Sequence, residues 1–127
     1  MALNIAITGI GMVTPAGLTT ADTWKGILTG RSYATCDPLF KHLKTTISCR
    51  LPPHDVKAAL GALLVRRTDP SARYAIIAAR EALTHAALTP QRWNARRVAI
   101  VLGTAAAGIA TVEHAHHVLN TTGPHHV

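Results

Sequence analysis

The sequence predicts an α/β protein made of one domain. Its 127 residues leave room for one modest core, and its hydrophobic fraction of 48% is ordinary for a globular chain. Aromatic residues make up only 4%, so the core has to be built from small aliphatic side chains, which suits helices packed on strands. Candidate strands and helices also alternate along the chain, an order typical of α/β proteins.

The first predicted strand is the short apolar run Asn4–Thr8, which ends at glycine and is expected to be buried. A helix then begins after Thr19, because Thr19 and Asp22 have the spacing of a capping box, and Gly30 provides its C-terminal stop. The side chains predicted to face the core of this helix are Trp24, Ile27 and Leu28.

Residues 31–53 show weak patterning and three prolines, which predicts a long surface excursion with a short strand at Thr46–Leu51. A second helix is expected over His54–Arg66. Its apolar side would carry Val56, Leu60, Leu63 and Leu64.

The strongest helix pattern runs over Asp69–Leu88, where Asp69 is the N-cap and Pro70 occupies the first turn. Its small apolar stripe consists of Ala72, Ala75, Ile76, Ala79, Leu83 and Ala86. The unbroken run Val98–Leu102 is typical of a strand buried on both faces of a parallel sheet. A last helix is expected at about Ala107–Asn120.

The net charge of +7 and the pI of about 10.3 raise the question of a nucleic-acid partner. The basic residues are scattered, however, with no run longer than the pairs Arg66-Arg67 and Arg96-Arg97. Aromatic platforms for base stacking are nearly absent. An acidic protein partner is therefore the favoured explanation of the charge, and nucleic acid is not expected to bind.

Cys36 and Cys49 are expected to be reduced thiols of a cytoplasmic protein, because the N-terminus lacks the features of a secretory signal. No apolar run reaches the roughly 18–20 residues that cross a bilayer. The sequence therefore predicts a soluble protein without a membrane partner.

Two motifs invite sharper hypotheses. The segment Gly9-Ile10-Gly11 follows a predicted strand, but Thr14 stands where a dinucleotide-binding fingerprint needs its third glycine. A tight turn at the end of the strand is favoured, and no cofactor is expected. Arg73 and Tyr74 offer a partner surface, with a plain exposed helix face as the favoured alternative.

The histidines near the C-terminus raise the possibility of a metal site. Glu113 and His117 share one helix face, and further candidate ligands are His114, His116, His125 and His126. Nothing in their spacing fixes four ligands in a tetrahedron. A solvated surface is favoured, and no metal is expected.

Three segments in series resemble the β-ketoacyl-[acyl-carrier-protein] synthases, or ketosynthases. The first is Ile7–Gly17 (ITGIGMVTPAG), followed by Thr23-Trp24 and Leu28–Ser32. The second is Asp69–Leu83, which is similar to the family's long helix. The third is Arg97–Thr104 (RVAIVLGT), followed by a turn at Gly123-Pro124.

The resemblance implies the N-terminal portion of a thiolase-like fold, with mostly buried strands covered by helices, across residues 1–127. It implies the family's decarboxylative condensation of an acyl thioester with a malonyl carrier protein, and an oligomer. The family uses a cysteine nucleophile and two histidines. None can be placed here, since neither Cys36 nor Cys49 has the Ala-Cys-Xaa-Gly setting of that nucleophile.

The chain departs from the family pattern in three places. Ala105–Ala107 replace a glycine-rich stretch, Thr68-Asp69-Pro70 replaces a Met-Asp-Arg, and Ala87 stands where a helix-ending glycine is usual. The expected function is that of a subunit or fragment that is inactive alone and acts with another ketosynthase-family chain or a second copy. The alternative is a non-catalytic module that docks an acidic acyl-carrier protein or a synthase subunit. A truncated product without a function of its own is the third possibility.

Overall fold

The computed structural model describes residues 4–126, so residues 1–3 and 127 of the predicted domain lie outside it. In chain order, its elements are α1 (Thr20–Leu28), β1 (Thr35–Cys36), β2 (Ile47–Ser48), α2 (Val56–Leu60), α3 (Ala62–Arg67), α4 (Pro70–His85) and α5 (Ile109–Thr122). Short 3₁₀ turns lie at Pro38–Phe40, Pro90–Arg92, Ala95–Arg97 and Pro124–His126. The described residues thus form a mixed arrangement dominated by helices, with one small sheet.

Helix α1 begins and ends where the sequence predicts. The Thr19 hydroxyl accepts a hydrogen bond from the Asp22 amide at 3.1 Å and donates to the Asp22 carboxylate at 2.8 Å. Gly30, just beyond the helix, has a φ of +66°, which a residue without a side chain adopts at little cost.

The face of α1 that packs inward was predicted wrongly. Trp24 is 61% exposed, and Ile27 and Leu28 are exposed as well. The buried positions are Thr23 and Gly26. The loop that leads into α1 lies so close to the helix that only small residues fit: a Cβ on Gly26 would lie 2.5 Å from the Ala16 carbonyl oxygen.

The weakly patterned excursion contains a two-stranded antiparallel sheet, in which Thr35 pairs with Ser48 and Cys36 with Ile47. The predicted strand at Thr46–Leu51 is therefore present but shorter. A nearly inaccessible carboxylate holds the two strands together: Asp37 accepts hydrogen bonds from the Ser48 hydroxyl at 2.6 Å and from Arg50 Nη2 at 2.9 Å. The hydrogen bonds from Arg50 and then Ser48 hold the pKa of Asp37 far below its ordinary range.

The single helix expected over His54–Arg66 is in fact two helices, α2 and α3. Gly61 interrupts them with a φ of +82°, so its backbone leaves the helical region. The bend at Gly61 places the predicted apolar residues of α2 and α3 in different environments. Leu60 is buried at 8% exposure, whereas Leu63 is 55% exposed.

Arg73 closes the end of α3 and is not on an open surface. Its guanidinium donates to the Val65 carbonyl at 2.7 Å and to the Thr68 carbonyl at 2.6 Å. Tyr74 is half-buried, with its ring centroid 5.5 Å from that of His54. The expectation of a plain exposed helix face is therefore wrong, whereas a partner surface at this pair stays a prediction.

The N-terminus of α4 has the predicted cap. The Asp69 carboxylate accepts from the amides of Ser71 at 2.8 Å and Ala72 at 3.2 Å. The Ser71 hydroxyl and then the Ala72 amide lower the pKa of Asp69. The helix ends at His85, earlier than expected, because the chain turns at Ala87 with a φ of +49°.

Neither of the two long apolar runs forms a strand within residues 4–126. Both are extended, but Ile5 and Ile7 are 92% and 82% exposed, and Ile100 and Val101 are each 92% exposed. The expectation of buried strands at Asn4–Thr8 and Val98–Leu102 is therefore wrong for the chain by itself. A strand becomes buried only when neighbouring strands pair with it and helices cover its faces, and the described residues supply only α4.

Helix α5 confirms the last predicted helix, and it begins after Gly108, whose φ is +77°. Its apolar side chains Ile109, Val112 and Leu119 are exposed. Among the described residues, no helix is long and apolar enough to cross a membrane.

Candidate functional site

An apolar cleft lies along helix α4 between the two extended segments. Its volume is about 610 Å³. Thr8 and Gly9 line it from the first extended segment, and Val98, Ala99 and Ile100 from the second. The lining residues at the C-terminal half of α4 and its cap are Ala79, Ala82, Leu83 and Ala86. Leu88 and Trp93 close the end near the helix C-terminus. The structure thus brings together the two predicted strands and the predicted helix stripe, but leaves an open space between them.

Gly9 and Gly11 let the first segment lie directly against α4. A Cβ on Gly9 would come within 2.1 Å of the Ala82 carbonyl oxygen, and one on Gly11 within 1.9 Å of the Ala78 carbonyl oxygen. Neither glycine has a positive φ. The predicted tight turn is therefore not the reason for these residues. They are needed because any side chain would collide with the helix backbone.

Glu81 and His85 fasten the same segment to α4. The Glu81 carboxylate accepts one hydrogen bond from the Met12 amide and another from the Thr20 amide, each at 2.8 Å. Thr20 is the first residue of α1, so Glu81 also satisfies a free N–H group at that helix N-terminus. His85 Nδ1 accepts from the Ile10 amide at 3.2 Å. This arrangement is a structural anchor.

The two cysteines lie on the hairpin, far along the chain from the cleft residues. Both are exposed free thiols. Within residues 4–126 neither sulfur has a hydrogen-bonded histidine that would favour its thiolate.

The histidines of α5 are exposed and dispersed. His116 Nε2 and the Asn120 side-chain amide are 2.9 Å apart, which pairs two surface groups. No group of three or more histidine, cysteine, aspartate or glutamate side chains with metal-binding geometry occurs in the part of the chain that the structure describes.

A basic surface lies beside the α2–α3 bend. Arg66 and Arg67 end α3 with exposed side chains, and Arg80 of α4 donates to the Ala59 carbonyl at 3.1 Å. Arg67 and Arg80 both border a groove of about 400 Å³ lined by Leu60, Gly61, Ala62, Leu63 and Leu64. The neighbouring carboxylate, Asp69, is engaged in capping α4. This surface combines free positive charge with exposed leucine.

Comparison with known proteins decides the family. The family described as "Beta-ketoacyl synthase, N-terminal domain" matches residues 3–126. The chain belongs to the β-ketoacyl synthase family. The ketosynthase resemblance of the three sequence segments is thereby confirmed, and the thiolase-like fold class is supported at the level of the family.

Individual ketosynthase relatives align with nearly the whole length of this chain. The 3-oxoacyl-[acyl-carrier-protein] synthase 2 of Coxiella burnetii is 29% identical over 123 residues, which is 95% of this chain and 30% of that protein. A putative polyketide beta-ketoacyl synthase 1 of Streptomyces cyaneus is 32% identical over 116 residues, which is 90% of this chain and 28% of that protein. The chain thus spans about 30% of the length of the curated relatives that it matches.

Sequence reasoning missed the residues that organise this ketosynthase segment. Glu81, His85 and Asp37 are each charged or polar residues with hydrogen-bond partners between 11 and 75 positions away. A helical pattern places Glu81 on α4 but says nothing of Met12 or Thr20. The one available signal was the pair of glycines, which allow a backbone to approach a helix closely.

Proposed function

We propose that this chain is part of a ketosynthase of fatty acid or polyketide biosynthesis and acts together with a partner polypeptide. The family reaction joins an acyl thioester and a malonyl carrier protein with loss of carbon dioxide. In this proposal the chain contributes a scaffold, and the partner contributes the nucleophilic cysteine and the two histidines. The relatives' names, which specify acyl-carrier-protein and polyketide synthases, support the reaction class.

The observation that carries the proposal is the size of the exposed surface. The chain exposes 10579 Å², whereas a folded monomer of its 13.5 kDa mass would expose about 6,500 Å² by the usual scaling. Among the described residues, Leu60 is the one large apolar side chain that is buried. This surplus of about 4,000 Å² on one chain exceeds the roughly 1,000–2,500 Å² per partner that permanent complexes commonly bury. A partner would therefore cover surface that α4 leaves open.

The surroundings of the two thiols support the proposal that the partner contributes the nucleophilic cysteine. Cys36 and Cys49 are exposed free thiols, and neither is hydrogen-bonded to a histidine in the described part of the chain. We infer that neither serves as the nucleophile. Their reduced state fits the cytoplasmic location expected from the sequence, which stays a prediction.

A complementation experiment tests this function. The probe is a fragment of the Coxiella burnetii synthase that lacks the stretch matched by this chain, and the assay follows acyl transfer and condensation with acyl- and malonyl-carrier protein. We expect no activity from either piece alone and activity from the mixture. Condensation by this chain alone contradicts the proposal. So does a stable monomer whose molar mass, measured by light scattering, does not change when the fragment is added.

The second candidate is a docking module for an acidic acyl-carrier protein, which the basic surface beside α3 favours. Arg66 and Arg67 are exposed and have no carboxylate partner among the described residues. Opposite charge would speed encounter and orient the carrier protein. Titration with acyl-carrier protein at low and high salt tests this: Arg66→Glu with Arg67→Glu should weaken binding about tenfold. Unchanged binding rejects the candidate.

A further inference from the structure

The hydrogen bonds of Asp37 define one face of the hairpin formed by β1 and β2. The Ser48 hydroxyl and the Arg50 guanidinium both donate to the Asp37 carboxylate. Residues 48 and 50 therefore point to the same side of the second strand and its continuation. Because side chains alternate along an extended chain, Cys49 points to the opposite side. Cys36 directly precedes Asp37 on the first strand, so it points to that opposite side as well.

Cys36 and Cys49 are consequently diagonal neighbours on one face of the hairpin. Cys36 pairs directly with Ile47, and Cys49 lies two positions further along the second strand. Both cysteines are exposed free thiols, and Ile47 beside them is exposed as well. The contacts that set this arrangement all fall within residues 35–50. The two thiols are therefore brought together by the hairpin itself and not by a partner.

The spacing of the two cysteines decides what kind of bond they could form. Diagonal neighbours on an antiparallel pair are about 7–8 Å apart at their Cα atoms. An ordinary disulfide joins Cα atoms about 5.5–6 Å apart, so the strands have to approach by roughly 1–2 Å. Cys49 lies just beyond Ser48, the last paired residue of β2, where the ladder no longer fixes the backbone. A disulfide there is strained, and strained, exposed disulfides are the ones that are easily reduced again.

We propose that Cys36 and Cys49 form a reversible disulfide when the chain meets a low-molecular-weight disulfide such as oxidised glutathione. One thiolate attacks a sulfur of the oxidant, which gives a mixed disulfide and releases one small thiol. The second thiolate attacks the protein sulfur of that mixed disulfide, forms the bond between the two cysteines and releases the second small thiol. The chain loses two electrons and two protons, and the oxidant gains them. This inference goes beyond the proposed function and does not depend on it.

Mass spectrometry of the whole chain tests the proposal. With reduced and oxidised glutathione each at about 0.1 mM, the internal disulfide should outnumber the glutathione adducts about tenfold, because thiols joined by a short segment have effective concentrations of about 1 mM or more. The oxidised chain should be lighter by two hydrogen atoms. Trypsin cuts after Lys41, Lys44 and Arg50, so it should release residues 32–41 and 45–50 as one linked species. Dithiothreitol should restore both thiols.

The matched control moves one thiol to the other face of the hairpin. In the double variant Thr35→Cys with Cys36→Ser, nearly the same length of chain separates the two thiols, but the one at position 35 points to the side of Asp37. This variant should give mainly glutathione adducts, with the internal disulfide about tenfold rarer than in the unchanged chain. Cys49→Ser should give an adduct at Cys36 and no internal disulfide.

Four results overturn the inference. The first two are glutathione adducts on both cysteines without an internal disulfide, and disulfide-linked dimers in its place. The third is an internal disulfide that forms equally in the double variant, since the shared face would then not be the cause. The fourth is a disulfide that a large excess of reduced glutathione does not open, since the strain that makes it reversible would be absent.

Discussion

Ala87 occupies a backbone conformation that its own side chain opposes. Its φ is +49°. Among the residues that the structure describes, no other residue besides glycines has a positive φ. It lies just past the end of α4, where the Leu88 amide donates to the Leu83 carbonyl and the Ala87 amide to the Thr84 carbonyl, both at 3.0 Å. These two hydrogen bonds define a Schellman motif, in which glycine is the usual residue at this position.

The substitution Ala87→Gly should therefore stabilise the chain. Removing the Cβ relieves about 1–2 kcal/mol of left-handed strain. The greater freedom of glycine in the unfolded chain costs roughly 0.5–1 kcal/mol in return. The net gain is about 0.5–1 kcal/mol, which corresponds to a rise in Tm of about 2–5 °C for a chain of this size.

Thermal unfolding followed by circular dichroism measures this gain, and hydrogen exchange of the Leu88 amide reports on the motif itself. The matched control is Ala79→Gly, which lies within α4 at a helical φ. It should lower stability by about 1 kcal/mol. If Ala87→Gly lowers Tm as Ala79→Gly does, Ala87 is not left-handed and the reasoning fails.

Three further predictions concern the contacts that fold the chain onto α4 and close the hairpin. Gly11→Ala should lower stability by about 1–3 kcal/mol because its Cβ meets the Ala78 carbonyl, as measured by denaturant unfolding. Glu81→Gln should cost about 1.5–3 kcal/mol, because the Met12 and Thr20 amides donate to different carboxylate oxygens and glutamine replaces one of these oxygens with an NH2 donor. Exchange of the Met12 and Thr20 amides should quicken. Asp37, whose pKa is lowered in the folded state, stabilises the hairpin fully above its unfolded pKa of about 3.9 and progressively less as the pH falls below it. NMR titration of the Asp37 carboxyl should give a pKa that Arg50→Gln raises towards the ordinary value.

Each of these predictions has a variant or result that contradicts it. Gly103→Ala adds a Cβ with no atom within 4 Å, so an equal loss there would show that helix contact is not the cause. Glu113→Gln on exposed α5 should change stability little, and an effect as large as that of Glu81→Gln would remove the argument from the two amides. An Asp37 pKa that Arg50→Gln leaves unchanged would mean that the guanidinium does not hold the carboxylate.

Local chemistry determined much of this chain. The caps at Thr19 and Asp69, the stop at Gly30 and the helix over most of 69–88 follow from hydrogen bonds and backbone preferences between residues a few positions apart. The family motifs also lie within short segments. All of these features were predictable from the sequence. The sequence also showed that Ala87 replaces the usual helix-ending glycine, but it did not show the positive φ that makes an alanine there unfavourable.

Tertiary structure decided which surfaces are buried and which residues anchor the segments. Trp24 has helical spacing on an apolar face, yet the close approach of the loop at Ala16 selects Gly26 as the inward residue. Val98–Leu102 has the composition of a buried strand, but burial depends on neighbours that a local pattern cannot supply. The bonds of Glu81 to Met12 and Thr20 join residues 69 and 61 positions apart. Sequence periodicity gives the conformation of a segment, whereas the partner of each apolar face is set by three-dimensional contacts.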